Sequence, residues 1–183
     1  MRKLTLLVLF AYQSLAGFGQ LSPANITGNI ESIFQYLNED TIIGASQPAE
    51  KGLVNSYMNL FYTQGNVKAG IRVESYLPRI NGYPTVFDGT GIGYRYIQYA
   101  NDFVDVTLGT FYEQFGTGLK LRAYEDRALG YDNMLDGIRL KVTPGKGTTV
   151  KAVYGKQRYA FIEGRIQYSP GIVRGVDGEI HLN

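Results

Sequence analysis

The sequence predicts an all-β protein: an antiparallel transmembrane β-barrel, of which this chain is the N-terminal part. Three observations predict it. Apolar residues recur with a period of two rather than 3.6, so the chain reads as strands with one aliphatic and one polar face. Most of these strands approach the roughly 9–11 residues that a tilted strand needs to cross a bilayer. Tight turns also alternate with long connections, which is how a barrel with short turns at one rim and long loops at the other is laid out.

An export segment comes first. Arg2 and Lys3 precede an apolar run from Leu4 to Tyr12, and small residues at Ser14, Ala16, Gly17 and Gly19 follow. That order is a signal peptide over residues 1–19, which leaves 20–183 as the barrel segment. Cleavage removes two cations and no anion from 18 Lys and Arg against 16 Asp and Glu, so the exported chain is electrically balanced. A balanced chain carries no electrostatic footprint for nucleic acid.

The strands then follow in order. Weakly alternating segments at 24–37 and 53–63 lead to 67–77, where Val67, Ala69, Ile71 and Val73 alternate with Lys68, Gly70, Arg72 and Glu74. After a Tyr-rich strand at 91–99, the segment 103–114 sets Val104, Val106 and Leu108 against Asp105, Thr107 and Gly109. Ile138, Leu140 and Val142 alternate with Arg139, Lys141 and Thr143, and further strands are expected at 148–155, 160–168 and 172–182. Turns at Gln64-Gly65-Asn66, Ala100-Asn101-Asp102 and 144–147 are short, while 38–52, 78–90 and 115–135 are long. Lys156-Gln157-Arg158 and Pro170-Gly171 read as two further connections. The count is about nine, an odd number that a closed bacterial barrel avoids, so more strands are expected beyond Asn183.

The run Tyr112-Glu113-Gln114-Phe115-Gly116-Thr117-Gly118-Leu119 continues through Arg122-Ala123-Tyr124-Glu125-Asp126-Arg127. With Asp132-Asn133, Asp136-Gly137 and Val173-Arg174-Gly175-Val176-Asp177, it resembles a family of uncharacterised outer-membrane β-barrel proteins of Gram-negative bacteria. The resemblance implies location in the outer membrane, a barrel fold and contact with outer-membrane lipid. It implies no activity, and no catalytic residue comes with it.

Chemistry is therefore sought in one segment. Residues 118–137 gather Lys120, Arg122, Glu125, Asp126, Arg127, Asp132 and Asp136, charges expected to pair with one another. Either the segment folds into the lumen as a constriction or a docking surface for a ligand or partner, or it is a solvated loop or ladder that only supports the wall. The function expected is a passive pore or a component of a cell-envelope complex. The alternative is a secreted, soluble β-sandwich that stacks carbohydrate on tyrosines exposed on one sheet face; in a barrel the tyrosines would instead form interfacial girdles.

Enzymatic and cofactor roles are not expected. The chain has no cysteine and only one histidine, His181, so thiolate metal sites and two-histidine motifs are excluded. Ser169, Asp177 and His181 could form a hydrolase set only if one hairpin folded them together. Gly89-Thr90-Gly91-Ile92-Gly93 precedes a strand rather than the helix a phosphate loop needs, and Asp126, Asp132 and Asp136 miss the spacing of a calcium loop.

Overall fold

The structure is a computed structural model that describes residues 25–39, 42, 44, 49–145 and 147–180. The signal-peptide assignment, His181 and the expected chain end lie outside the described residues. The protein is all-β and antiparallel. No helix among the described residues is long and apolar enough to cross a membrane, which says nothing of strands.

Among the described residues ten strands form in chain order: β1 (Ile26–Tyr36), β2 (Gly52–Gln64), β3 (Val67–Tyr76), β4 (Gly89–Ala100), β5 (Val104–Phe111), β6 (Glu125–Asp126), β7 (Tyr131–Asp132), β8 (Leu135–Gly145), β9 (Thr148–Ile162) and β10 (Arg165–Ile180). Eight of them make one meander in the order β1-β2-β3-β4-β5-β8-β9-β10, and the short pair β6-β7 stands apart. The sheet is not closed: among the described residues β1 pairs only with β2, and β10 only with β9.

The last three expected strands are two. β9 runs unbroken through Lys156-Gln157-Arg158, where a connection was expected, and reverses instead at Glu163 (φ 51°) and Gly164 (φ 75°). Two successive positive φ values make a tight turn whose twist suits a hairpin. Pro170-Gly171 is likewise not a turn but falls in a register irregularity inside β10. Among the described residues the wall thus has eight strands rather than the expected nine, so an odd count no longer argues for strands beyond Asn183.

Alternation sorts the faces as expected. One face exposes Ile30, Met58, Leu60, Ile71, Ile97, Leu108, Ile138, Leu140, Val176 and Ile180. The opposite face carries Asn55, Tyr57, Asn59, Arg72, Glu74, Thr107 and Arg139, mostly buried. The sheet curls toward that polar face. At the long-loop end the β9–β10 turn docks on the segment before β4: Asp88 N donates to Phe161 O at 2.7 Å, Phe161 N to Val86 O at 2.8 Å, and Gly164 N to Asp88 O at 3.0 Å. Gly91 and Gly164 permit this approach, since a Cβ on either would overlap the other strand's backbone.

Candidate functional site

Leaving the wall after Phe111, the chain re-enters it only at Leu135, and the 23 intervening positions fold back across the polar, concave face. Apolar contacts seat the segment on the late strands. Phe111, Ala123, Leu135 and Val153 form a buried cluster, with Phe115, Leu121 and Val173 packed against it. Phe115 lies over Gly175, where a Cβ would come 2.8 Å from the ring. Backbone bonds shape the segment itself: Ala123 N donates to Glu113 O at 2.9 Å and Phe115 N to Leu121 O at 3.0 Å. Asn133 ties the hairpin base, accepting from Tyr124 N at 2.7 Å and donating to Arg122 O at 3.0 Å.

Three of its charges, Glu125, Arg127 and Asp132, meet the wall. Arg72 on β3 reaches Glu125 at 2.8 Å, Arg158 on β9 reaches Asp132 at 2.8 Å, and Arg127 pairs with Glu31 on β1. The one pair internal to the segment is Arg127 with Glu125, at 3.1 Å. Arg158 is the keystone. It also grips Glu74 through Nη2 to Oε2 at 2.7 Å and Nη1 to Oε1 at 3.2 Å, so one guanidinium bridges β3, β7 and β9. The side chains of Arg158, Glu74 and Asp132 are 0%, 1% and 6% exposed. A roof of Tyr57, Tyr76, Phe87 and Phe161 keeps water from them, and Tyr76 OH donates to Glu74 at 3.0 Å.

Such a triad is costly to bury and is held only while every member is paired. Glu74, Glu125 and Asp132 bring carboxylate oxygens within 4.8 Å of one another, the spacing of a cation site. Arg72 and Arg158 already sit among these oxygens, so the cluster reads as a charge-compensated lock rather than a metal centre.

Burial pushes the Asp132 carboxyl up to about 6, more than the Arg158 charge draws it down. Tyr112 OH donates to the other oxygen at 3.1 Å, and burial beside Asp132 and Glu125 raises that hydroxyl, so it stays a donor. The sign follows from linkage. A carboxyl whose folded value exceeds its unfolded one binds its proton better when folded, so its contribution to stability rises as pH falls through about 6 toward about 4. Asp132→Asn should flatten the stability profile across that window in urea titrations, and an unchanged profile would assign the pH response to another group.

The other expected site residues go elsewhere. Lys120 and Arg122 are exposed, Arg122 lying 4.5 Å over the Tyr124 ring. Asp126 caps its own turn, accepting from Ala128 N at 3.0 Å and Leu129 N at 3.1 Å. Asp136 points to the outer face, pairing with Arg95 at 3.0 Å and with Tyr168 OH. Asp126, Asp132 and Asp136 therefore share no calcium site. Ser169 and Asp177 are not joined either, since both lie along the one strand β10, and Asp177 accepts from Gly116 N at 3.3 Å. Tyrosines expected at lipid interfaces partly face inward, Tyr57, Tyr76, Tyr94 and Tyr112 among them.

Sequence reasoning missed Arg72, Glu74 and Arg158 as site residues. Arg72 and Glu74 do alternate with aliphatics on β3, which marks their face but not their partners.

No curated protein and no solved structure matches the chain. A family model does match, over residues 1–183, and by it the chain belongs to DUF6029, a family of unknown function.

Proposed function

We propose that the chain is part of the wall of an outer-membrane β-barrel, exported by its signal peptide, and that the segment between β5 and β8 constricts the lumen. The supporting observation is the inverted sheet. Its apolar face is uncovered, with Ile30 72% and Val176 74% exposed, while its charges are buried on the concave side. Water penalises an apolar face of that extent, and lipid matches it. A soluble sandwich would cover that face with a second sheet, and none lies on it among the described residues.

The open edges fit the same reading. In lipid each backbone group needs a partner, so the free edges of β1 and β10 must be paired, with each other or with further strands. Eight alternating strands leave these edges antiparallel to each other, so the wall closes either directly or through an even number of additional strands. The filled interior favours a constricted, selective pore over an open one. Docking of an envelope protein is the second reading, favoured by the exposed tip of the segment, where Leu119 is 88% exposed beside Lys120.

The absence of native cysteine makes the test direct. Thr85→Cys, on a long outer connection, should react with a membrane-impermeant thiol reagent on intact cells, and Asp102→Cys, in a short turn, only after lysis. Both positions are exposed. Reaction of Asp102→Cys on intact cells, or release of the protein by a carbonate wash of membranes, would reject the reading.

A further inference from the structure

Toward the short-turn end, the concave face carries a feature the charge lock does not use. Gly70 on β3 lies in register between Phe61 on β2 and Tyr96 on β4. A Cβ on Gly70 would overlap Cε1 of Tyr96 and lie 3.1 Å from Cδ1 of Phe61, so both rings rest over bare backbone on the wall itself. Resting on a glycine shields one side of a ring. Phe61 is nonetheless 36% exposed and Tyr96 half-buried, so each turns apolar surface into an otherwise polar interior.

These rings line a pocket of about 380 Å³, within the usual small-ligand range of roughly 300–1,000 Å³. Arg139, Gln98 and Thr107 border it, and the stacked pair Tyr94–Tyr112, with centroids 5.5 Å apart, adds further ring surface. Arg139 is tied to Asp105 at 2.5 Å and lies 3.6 Å from Glu113, while Arg72 is tied to Glu125, so the bordering cations are compensated. Among the described residues no carboxylate lines the pocket. One donor is unspent, because Arg139 Nε is buried and has no hydrogen-bond partner among the described residues. A buried donor of that kind calls for an acceptor.

Compensated charge disfavours an anion, and the mixed lining disfavours a purely apolar guest. A ring with apolar faces and a rim of hydroxyls fits both halves. We propose that this pocket binds a neutral pyranose sugar, its face on Tyr96 and Phe61 and its hydroxyls on Arg139, Gln98 and Thr107. The proposal deepens the barrel reading by naming a solute class for its lumen, and it rests on that reading for the route of entry, not for binding.

The test is calorimetric titration of the full-length protein, folded in detergent, with maltotriose, cellotriose, trigalacturonate and benzamide. Saturable binding of at least one neutral trisaccharide is expected, tighter than either comparison probe. Tyr96→Leu should weaken it at least tenfold. Gly70→Ala should do the same without unfolding, since its methyl has only to push a ring aside. The proposal is overturned if neither neutral sugar binds, if trigalacturonate or benzamide binds better, or if Gly70→Ala and Tyr96→Leu bind as the native protein does. Carbonate fractionation separates the two readings. A membrane-retained protein that binds no sugar sinks the sugar site alone, and a released protein that binds sugar sinks the barrel alone.

Discussion

Arg158→Met is expected to cost about 3–5 kcal/mol of folding free energy, because it leaves two buried carboxylates without their shared cation. Glu74 holds Arg158 through both oxygens and Asp132 through one, and all three side chains are nearly inaccessible. The loss should come from stranded charge more than from lost contact. The triple variant Arg158→Met, Glu74→Gln, Asp132→Asn should therefore be more stable than the single one, since removing the whole set removes the desolvation penalty with it. Urea unfolding in detergent reads both. A single variant that loses less than about 1 kcal/mol would show that the guanidinium is not what fastens the inward segment.

Leu140→Arg is the second large effect. Leu140 lies on the uncovered face, 36% exposed, opposite Val106 on β5 and Ala152 on β9. In a bilayer a cation there should cost about 2–4 kcal/mol. Thr143→Arg, three residues along the same strand and on the polar face, should stay within about 0.5 kcal/mol of native. The readout is the fraction of heat-modifiable, folded protein recovered in vesicles together with its urea midpoint. Equal losses at the two positions would remove the assignment of a lipid face, and with it the membrane reading.

Much of the wall was legible because period two is a local signal. On β3 from Val67 to Glu74 and on β8 from Ile138 to Thr143 aliphatic residues alternate with non-aliphatic ones, and both strands appear where the alternation put them. The end of the chain was not legible in that way. Lys156-Gln157-Arg158 has the polarity of a loop, yet Arg158 is inaccessible because its carboxylates come from Glu74 and Asp132, far away in sequence. A charged residue reads as surface unless its partner is known. Pro170-Gly171 has the composition of a turn, but β10 absorbs it as an irregularity.

The site was half legible for the same reason. Clustered charge singled out the segment holding Glu125, Arg127 and Asp132, but composition could not say that each would find its partner across the interior. Nor could it say that Asp136 would turn outward with Arg95. Gly70 carried no signal, because a missing side chain matters only once its neighbours on β2 and β4 are known.

The pairing of Arg158 with Glu74 spans 84 residues of chain, and Asp132 lies between them. Contacts so distant are the last that a folding chain can afford, since the loop between them must first be gathered up. Adjacent hairpins can form as soon as their strands exist. The inward segment can reach β3 through Glu125 and β1 through Arg127, but its Asp132 has no cation until β9 arrives, and until then Glu74 and Asp132 are best left hydrated. Connectivity thus imposes a timetable: adjacent hairpins first, the contacts of Glu125 and Arg127 with β3 and β1 next, the Arg158 lock last. Expulsion of water from the interior becomes the closing event of assembly rather than its nucleus, and a chain halted before Arg158 would hold β1 to β5 and β8 as an open ribbon, with the segment tied to it only through Glu125 and Arg127.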